Sequence, residues 1–225
     1  SHFGAYQHNQ VHIIEFSRSE GSYATTAGNC IQISEMRFIN DTSNIKEGGI
    51  DLAFYVAAHE LSHQWWGNQV IPADALGASM ITESMAEYIT AKVYERKYGK
   101  QSAIKFLNIQ RNRFLMGRSR EKEEEPPLYL VNPEQTYISY GKGAIALYTL
   151  SECIGEDKLN SALKEYLDKV KFQPPPYTTS LEMLDYLRKA TPDSLQYLIT
   201  DMFEKTDKDK VMKHFDKIGL NNTIY

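Results

Sequence analysis

His59-Glu60-Leu61-Ser62-His63-Gln64-Trp65-Trp66, within the run from Asp51 to Tyr88, sets two histidines four residues apart. On a helix that spacing stacks both imidazoles on one face, close enough to grip a single metal ion. A helix is the expected local structure. Leu52 to Ala58 holds neither Gly nor Pro, follows Gly48-Gly49, and has Asp51 where an N-cap belongs. Glu60 projects about 100° around such a helix from His59, beside the metal and free to handle a proton. Downstream, Glu83 and Glu87 stand one helical turn apart in Met80-Ile81-Thr82-Glu83-Ser84-Met85-Ala86-Glu87-Tyr88, so periodicity alone lets either serve as a third ligand. Two histidines and one carboxylate, with the fourth position left to water, is the coordination of a catalytic zinc. Trp65 and Trp66 read as core anchors.

A chain of 225 residues that is 42% hydrophobic can bury a full core as one domain of two lobes. The net charge of −4 is small, and the 25 basic residues form no Lys/Arg stripe, which argues against nucleic acid as a partner. No apolar stretch approaches the roughly 18 residues of a membrane span. Cys30 and Cys153 are too few and too far apart for a disulfide framework or a thiolate metal site, and are expected as buried thiols. No internal repeat is evident. The opening Ser1-His2-Phe3-Gly4 has no initiator Met or signal-type run and reads as excised from a longer protein.

Residues 11–40 read as strands: Val11 to Phe16 is β-rich, Cys30 to Ser34 alternates with period two, and Gly21 and Gly28 mark turns. Together they predict a small sheet flanking the metal helix. The helix bearing Glu83 should run to about Tyr98 and stop at Gly99, with another from Ser102 to Leu115. Arg118 to Pro127, of mixed charge and ended by prolines, reads as an exposed loop. Leu159, Leu163, Tyr166, Leu167 and Val170 give Glu156 to Val170 the pattern of an amphipathic helix. Gln173-Pro174-Pro175-Pro176-Tyr177 is a stiff connector. Thr179-Ser180-Leu181-Glu182 has the form of a capping box, and Thr191-Pro192-Asp193 starts a further helix. The charged run Glu204 to Lys210 suggests a domain edge. The expected division is a catalytic domain over 1–205, with a β lobe (1–50) and a helical lobe (51–205), and a charged tail or domain edge over 206–225.

The run His59 to Asn68, followed by Thr82-Glu83-Ser84-Met85-Ala86-Glu87-Tyr88, resembles the HExxH zinc signature of the aminopeptidase N family of gluzincin metallopeptidases. The resemblance implies that Glu83, which opens the second motif, is the metal-binding glutamate. Nineteen residues (64–82) separate His63 from Glu83, one more than the family's usual spacing, and the loop from Ile71 to Ser79 is expected to absorb the excess. Phe3-Gly4-Ala5-Tyr6 resembles the start of the family's catalytic domain. Tyr137-Ile138-Ser139-Tyr140-Gly141-Lys142-Gly143-Ala144 resembles the family segment that supplies a catalytic tyrosine, which implies Tyr140 as an oxyanion donor mounted where coil gives way to a helix ending near Ser151. The family also carries a Gly-x-Met-Glu-Asn motif on an edge strand that takes up substrate, its glutamate binding the free α-amino group. Tyr23-Ala24-Thr25-Thr26-Ala27 occupies that place here, with Thr26 at the glutamate's position. A hydroxyl does not neutralise an ammonium, so a weaker preference for a free amino terminus is expected, with Glu15, Glu20 and Glu35 as neighbouring sources of charge.

The fold class expected is α+β and mainly helical: a thermolysin-like zincin with a small β lobe and a larger helical lobe. One Zn2+ per chain would be held by His59, His63 and Glu83, with neutral imidazoles. Glu60 would be the general base, Tyr140 would stabilise the oxyanion, and Glu87 would orient a ligand histidine. The function implied is zinc-dependent peptide-bond hydrolysis of the aminopeptidase kind on a peptide substrate. The alternatives are an endopeptidase or other hydrolase on the same site, and a non-catalytic peptide-binding or accessory domain of a membrane transport protein. Relatives with these motifs can be fused to permease-like segments, which makes an extracytoplasmic domain of a membrane-associated protein the placement to test.

Overall fold

Glycine at φ +55 opens the two-residue turn Gly28-Asn29, which folds Ala24–Ala27 (β2) back on Cys30–Ser34 (β3) as an antiparallel hairpin. His12–Phe16 (β1) pairs with β3 in parallel, so the sheet runs β1-β3-β2 and β2 is an edge. The computed structural model describes residues 2–38 and 49–220; Ser1, Gly48 and the expected strand residues at 39–40 lie outside the described residues. The period-two pattern of β3 has its physical meaning: Ile31 and Ile33 are buried with Val56, while Gln32 faces out. That small cluster fastens the sheet to the metal helix. Glu35–Phe38 departs from the strand expectation and turns as a short helix, α1.

Leu52–Ser62 forms α2, and Asp51 caps it by accepting from Phe54 N at 2.9 Å. Met85–Tyr98 (α3) ends at Gly99, whose φ of +86 suits glycine. Lys100–Arg120 (α4) is longer than expected and takes in Arg118 to Arg120. The reason lies in the run read as solvated loop. Glu125 is buried, pairs with Arg118, and accepts from the fully buried Lys142 Nζ at 3.1 Å. The last turn of α4 is therefore pinned by charge pairing that local composition does not reveal.

Gly143–Ile154 (α5) runs through the centre of the core, and Glu156–Val170 (α6) buries the five apolar residues its periodicity marked. Ser180–Ala190 (α7) begins where expected but without a capping box. Thr179 makes no side-chain cap, and Glu182 instead accepts from Thr178 Oγ1 at 2.8 Å and pairs with Lys169 at 2.7 Å. Beyond Pro192 follow Gln196–Ile199 (α8), a wide π-helical turn over Thr200–Glu204, and Lys208–Asp216 (α9). The last corrects the expected tail. Val211 and Phe215 of α9, with Ile218 and Leu220, are buried in the main core, so the charges of 206–216 are the outer face of a packed amphipathic helix. Cys30 and Cys153 are unpaired and only partly buried.

Candidate metal centre

His59 and His63 project from one face of α2 with their Nε2 atoms 3.1 Å apart. Glu83 brings Oε2 to 3.3 Å from His59 Nε2 and 3.6 Å from His63 Nε2. Glu87, one turn further on, faces the opposite nitrogen of His59, its Oε1 3.1 Å from Nδ1. The two glutamates that periodicity left equivalent thus approach different edges of the same imidazole.

The donor set fits zinc. Bonds of about 2.0–2.1 Å in a tetrahedron imply ligand-to-ligand edges of about 3.3 Å. The three observed separations, 3.1, 3.3 and 3.6 Å, fall around that value. Glu83 Oε2 is buried and receives no aligned hydrogen bond among the described residues, an arrangement that is costly unless a cation sits among the three atoms.

Partners behind the ligands set their orientation. His63 Nδ1 lies 3.0 Å from the Trp66 carbonyl, so Nδ1 carries the proton and the Nε2 lone pair is turned inward. Gly67, at φ +139, makes the turn that brings this carbonyl beneath the ring. Glu87 is fully buried and accepts from Tyr55 OH at 2.6 Å and Gln110 Nε2 at 2.9 Å. Tyr55 has a signal in the sequence, four residues before His59 on the same face. Gln110 has none, because only the packing of α4 against α3 brings it in.

Burial disfavours charge on His59, but Glu83 and Glu87 outweigh it and push the imidazole up to about 10. Burial would raise the Glu83 carboxyl, yet the adjoining His59 and His63 imidazoles hold it well below the usual range. Two carboxylates facing two imidazoles thus make a pocket that favours added positive charge.

Both Glu83 and Tyr140 sit on π-helical turns, Met80–Ser84 before α3 and Tyr137–Lys142 before α5. A π turn takes up one more residue than an α turn, and the turn at Met80–Ser84 lies within the segment that joins His63 to α3. The turns abut where Ser84 Oγ donates to the Ser139 carbonyl at 2.7 Å. A Cβ on Gly143 would come within 2.1 Å of that Oγ, so glycine is required for the approach. Tyr140 stacks on His59, ring centroids 5.4 Å apart and planes 13° from parallel. Burial first, then the Glu83 charge, push its phenol above the ordinary tyrosine value, so it remains a protonated donor. The Arg113 guanidinium lies over the Tyr140 ring, 5.1 Å from its centroid.

Glu60 is buried, and Thr26 of the edge strand reaches it directly: Thr26 Oγ1 lies 2.8 Å from Glu60 Oε2 and 3.0 Å from the Glu60 carbonyl. The neighbouring carboxylates lie elsewhere. Glu35 accepts from Arg18 N at 3.0 Å, and Glu15 is on β1, separated from β2 by β3. On the opposite face of α2, Ala57, Ala58, Leu61 and Trp65 line an apolar cavity of about 370 Å³.

Residues 5–205 match the model of the peptidase family M1 domain. The chain belongs to this family. Among curated members it is 29% identical over 124 residues to endoplasmic reticulum aminopeptidase 2 of Homo sapiens, covering 52% of this chain and 13% of that protein. It is 28% identical over 143 residues to aminopeptidase N of Mus musculus, covering 60% of this chain and 14% of that protein. The M1 zinc metallopeptidase of Deinococcus radiodurans superposes with a TM-score of 0.63 at 17% identity, over 91% of this chain and 41% of that one, which shows the shared M1 fold of β lobe and helical lobe. The chain therefore spans less than half of these M1 proteins.

Proposed function

We propose that this M1 domain catalyses zinc-dependent hydrolysis of peptide bonds in the manner of an aminopeptidase, with one zinc per chain held by His59, His63 and Glu83. The observation that carries the reading is the convergence of two Nε2 atoms and an unpartnered carboxylate oxygen at separations of 3.1–3.6 Å, with Glu60 and Tyr140 beside them. Zinc bound there supplies Lewis acidity that makes water nucleophilic near neutral pH. The Trp66 carbonyl and Glu87 hold the two imidazoles in the orientation that presents Nε2. Glu60 takes the proton of the attacking water at Oε1, the oxygen that receives no hydrogen bond among the described residues, and returns it to the leaving amine. Tyr140, kept protonated by its surroundings, donates to the carbonyl oxygen as negative charge develops on it. M1 membership supports this reading over a non-catalytic accessory role, since a purely structural zinc needs neither Glu60 nor Tyr140. No helix among the described residues is long and apolar enough to cross a membrane. A membrane tether and an extracytoplasmic placement rest on the resemblance to permease-fused relatives alone.

The test is turnover of short unblocked peptides by the zinc-loaded protein, by the chelated protein and by Glu60→Gln. Chelation should abolish hydrolysis and zinc should restore it. Glu60→Gln should keep its zinc and lose about 10²- to 10⁴-fold in rate, the usual contribution of a general base. Turnover that survives both treatments would overturn the proposal.

A further inference from the structure

Thr26 stands in the last strand of the sheet, on the side that faces α2, and its hydroxyl lies within hydrogen-bond distance of two atoms of one residue, Glu60. A hydroxyl has one proton to give. One acceptor is the Glu60 carbonyl at 3.0 Å, in the last turn of α2. There, carbonyls have no helical amide four residues on, and Gln64 N bonds Leu61 O at 3.1 Å instead. The other is Glu60 Oε2 at 2.8 Å. The carboxylate is the closer of the two, and charge-assisted hydrogen bonds are roughly twice as strong as neutral ones, so the proton goes to Oε2. The carbonyl takes a secondary share of the same donor.

We propose that Thr26 is a positioning residue for Glu60: its hydroxyl ties down Oε2, fixes the carboxylate's rotation, and leaves Oε1 as the oxygen that exchanges the proton with water and leaving amine. Glu60 has no other side-chain hydrogen bond among the described residues, so without Thr26 its carboxylate is free to turn about its last torsion. The arrangement joins the two lobes at the point of chemistry. The neighbouring strand β3 is fastened to α2 by the Ile31, Ile33 and Val56 cluster, against which Ala24 of the edge strand also packs, so the hydroxyl is presented by paired, packed backbone and not by a loop. The inference rests on the proposed role of Glu60 as base, and its test separates the two.

The experiment compares wild type, Thr26→Val, Thr26→Ser and Glu60→Gln in the zinc-loaded protein, reading kcat, KM, zinc content and thermal midpoint for each, with a crystal structure of Thr26→Val. Valine keeps the β-branched shape and removes the donor, whereas serine keeps the donor. Thr26→Val should lower kcat on the order of 10- to 10²-fold, the scale of a misplaced catalytic group, with KM and zinc content near wild type and the Glu60 carboxylate rotated in the crystal. Thr26→Ser should recover most of kcat. If Glu60→Gln is inactive while Thr26→Val retains wild-type kcat, or if serine and valine are equally impaired, the positioning role is overturned and the hydroxyl serves only to cap α2. Should Glu60→Gln itself be fully active, the reading of Glu60 as base fails, and this inference with it.

Discussion

The helical side and the sheet side of the site are built on different plans. On the helical side each functional group is held by several others: His59 lies between Glu83, Glu87, His63 and the Tyr140 ring, and Glu87 behind it accepts from Tyr55 and Gln110. On the sheet side, among the described residues, a single hydroxyl, Thr26 Oγ1, makes the hydrogen-bonded link to the site. A group held redundantly in a buried network cannot be changed without leaving another unpaired, whereas a lone hydrogen bond can be lost with little else disturbed. Variants should therefore have graded effects, steepest at the ligands and mildest at the strand.

The largest effect is expected at the ligands. His59→Ala and Glu83→Ala each remove one of three proposed donors, and metal analysis after dialysis should show zinc lost or strongly weakened in both. Wild-type stoichiometry in both variants would remove the helical side from metal binding altogether. Glu87→Gln asks how far the redundancy extends. It keeps the shape but replaces one acceptor oxygen by a donor between the donors of Tyr55 and Gln110 and removes the charge beside His59 Nδ1. Zinc affinity should fall by about 10- to 100-fold, the usual result of altering a partner behind a ligand, and a competitive chelator titration would measure it. An unchanged affinity would mean that His59 is oriented by helix packing alone.

The same division explains what could be read from the chain. His59, Glu60 and His63 lie on one helix, where spacing alone determines which side chains share a face, and the apolar stripe of α6 was legible for the same reason. Glu83 and Glu87 satisfy the same period, so periodicity does not tell them apart; the family resemblance implies Glu83, and the structure shows the two approaching opposite nitrogens of His59. Glu125 shows the limit on the other side. In sequence it is one of a row of charges, and it is buried because Lys142, from a distant turn, needs a counter-charge. The capping box before α7 failed in a similar way, since Lys169 of α6 draws Glu182 away from the helix start. Features set by one helix's period were visible, and features set by which elements meet were not.

Thr26 is the residue on which sequence and structure bear most differently. Its position in the strand implies a missing amine anchor. Its contact with Glu60 adds a second role, because replacing Thr26 by a carboxylate would remove the donor to Glu60 Oε2 at the same time as it added a charge, and the two effects would be read together. The cleaner probe of the sheet side leaves the protein unaltered and varies the substrate. A carboxylate that pairs with a peptide's ammonium contributes roughly 1.5–3 kcal/mol, about 10- to 10²-fold in discrimination against an N-acetylated peptide. With the Thr26 hydroxyl engaged by Glu60, Glu35 held by Arg18 and Glu87 enclosed behind His59, the described residues offer no such carboxylate on the edge strand. Free and N-acetylated versions of one peptide should therefore differ in kcat/KM by no more than about tenfold. A discrimination of 10³ or more would show that the amino terminus is bound by a charge outside the edge strand. It would also move the source of exopeptidase specificity from β2 to the helical side or to polypeptide outside the described residues.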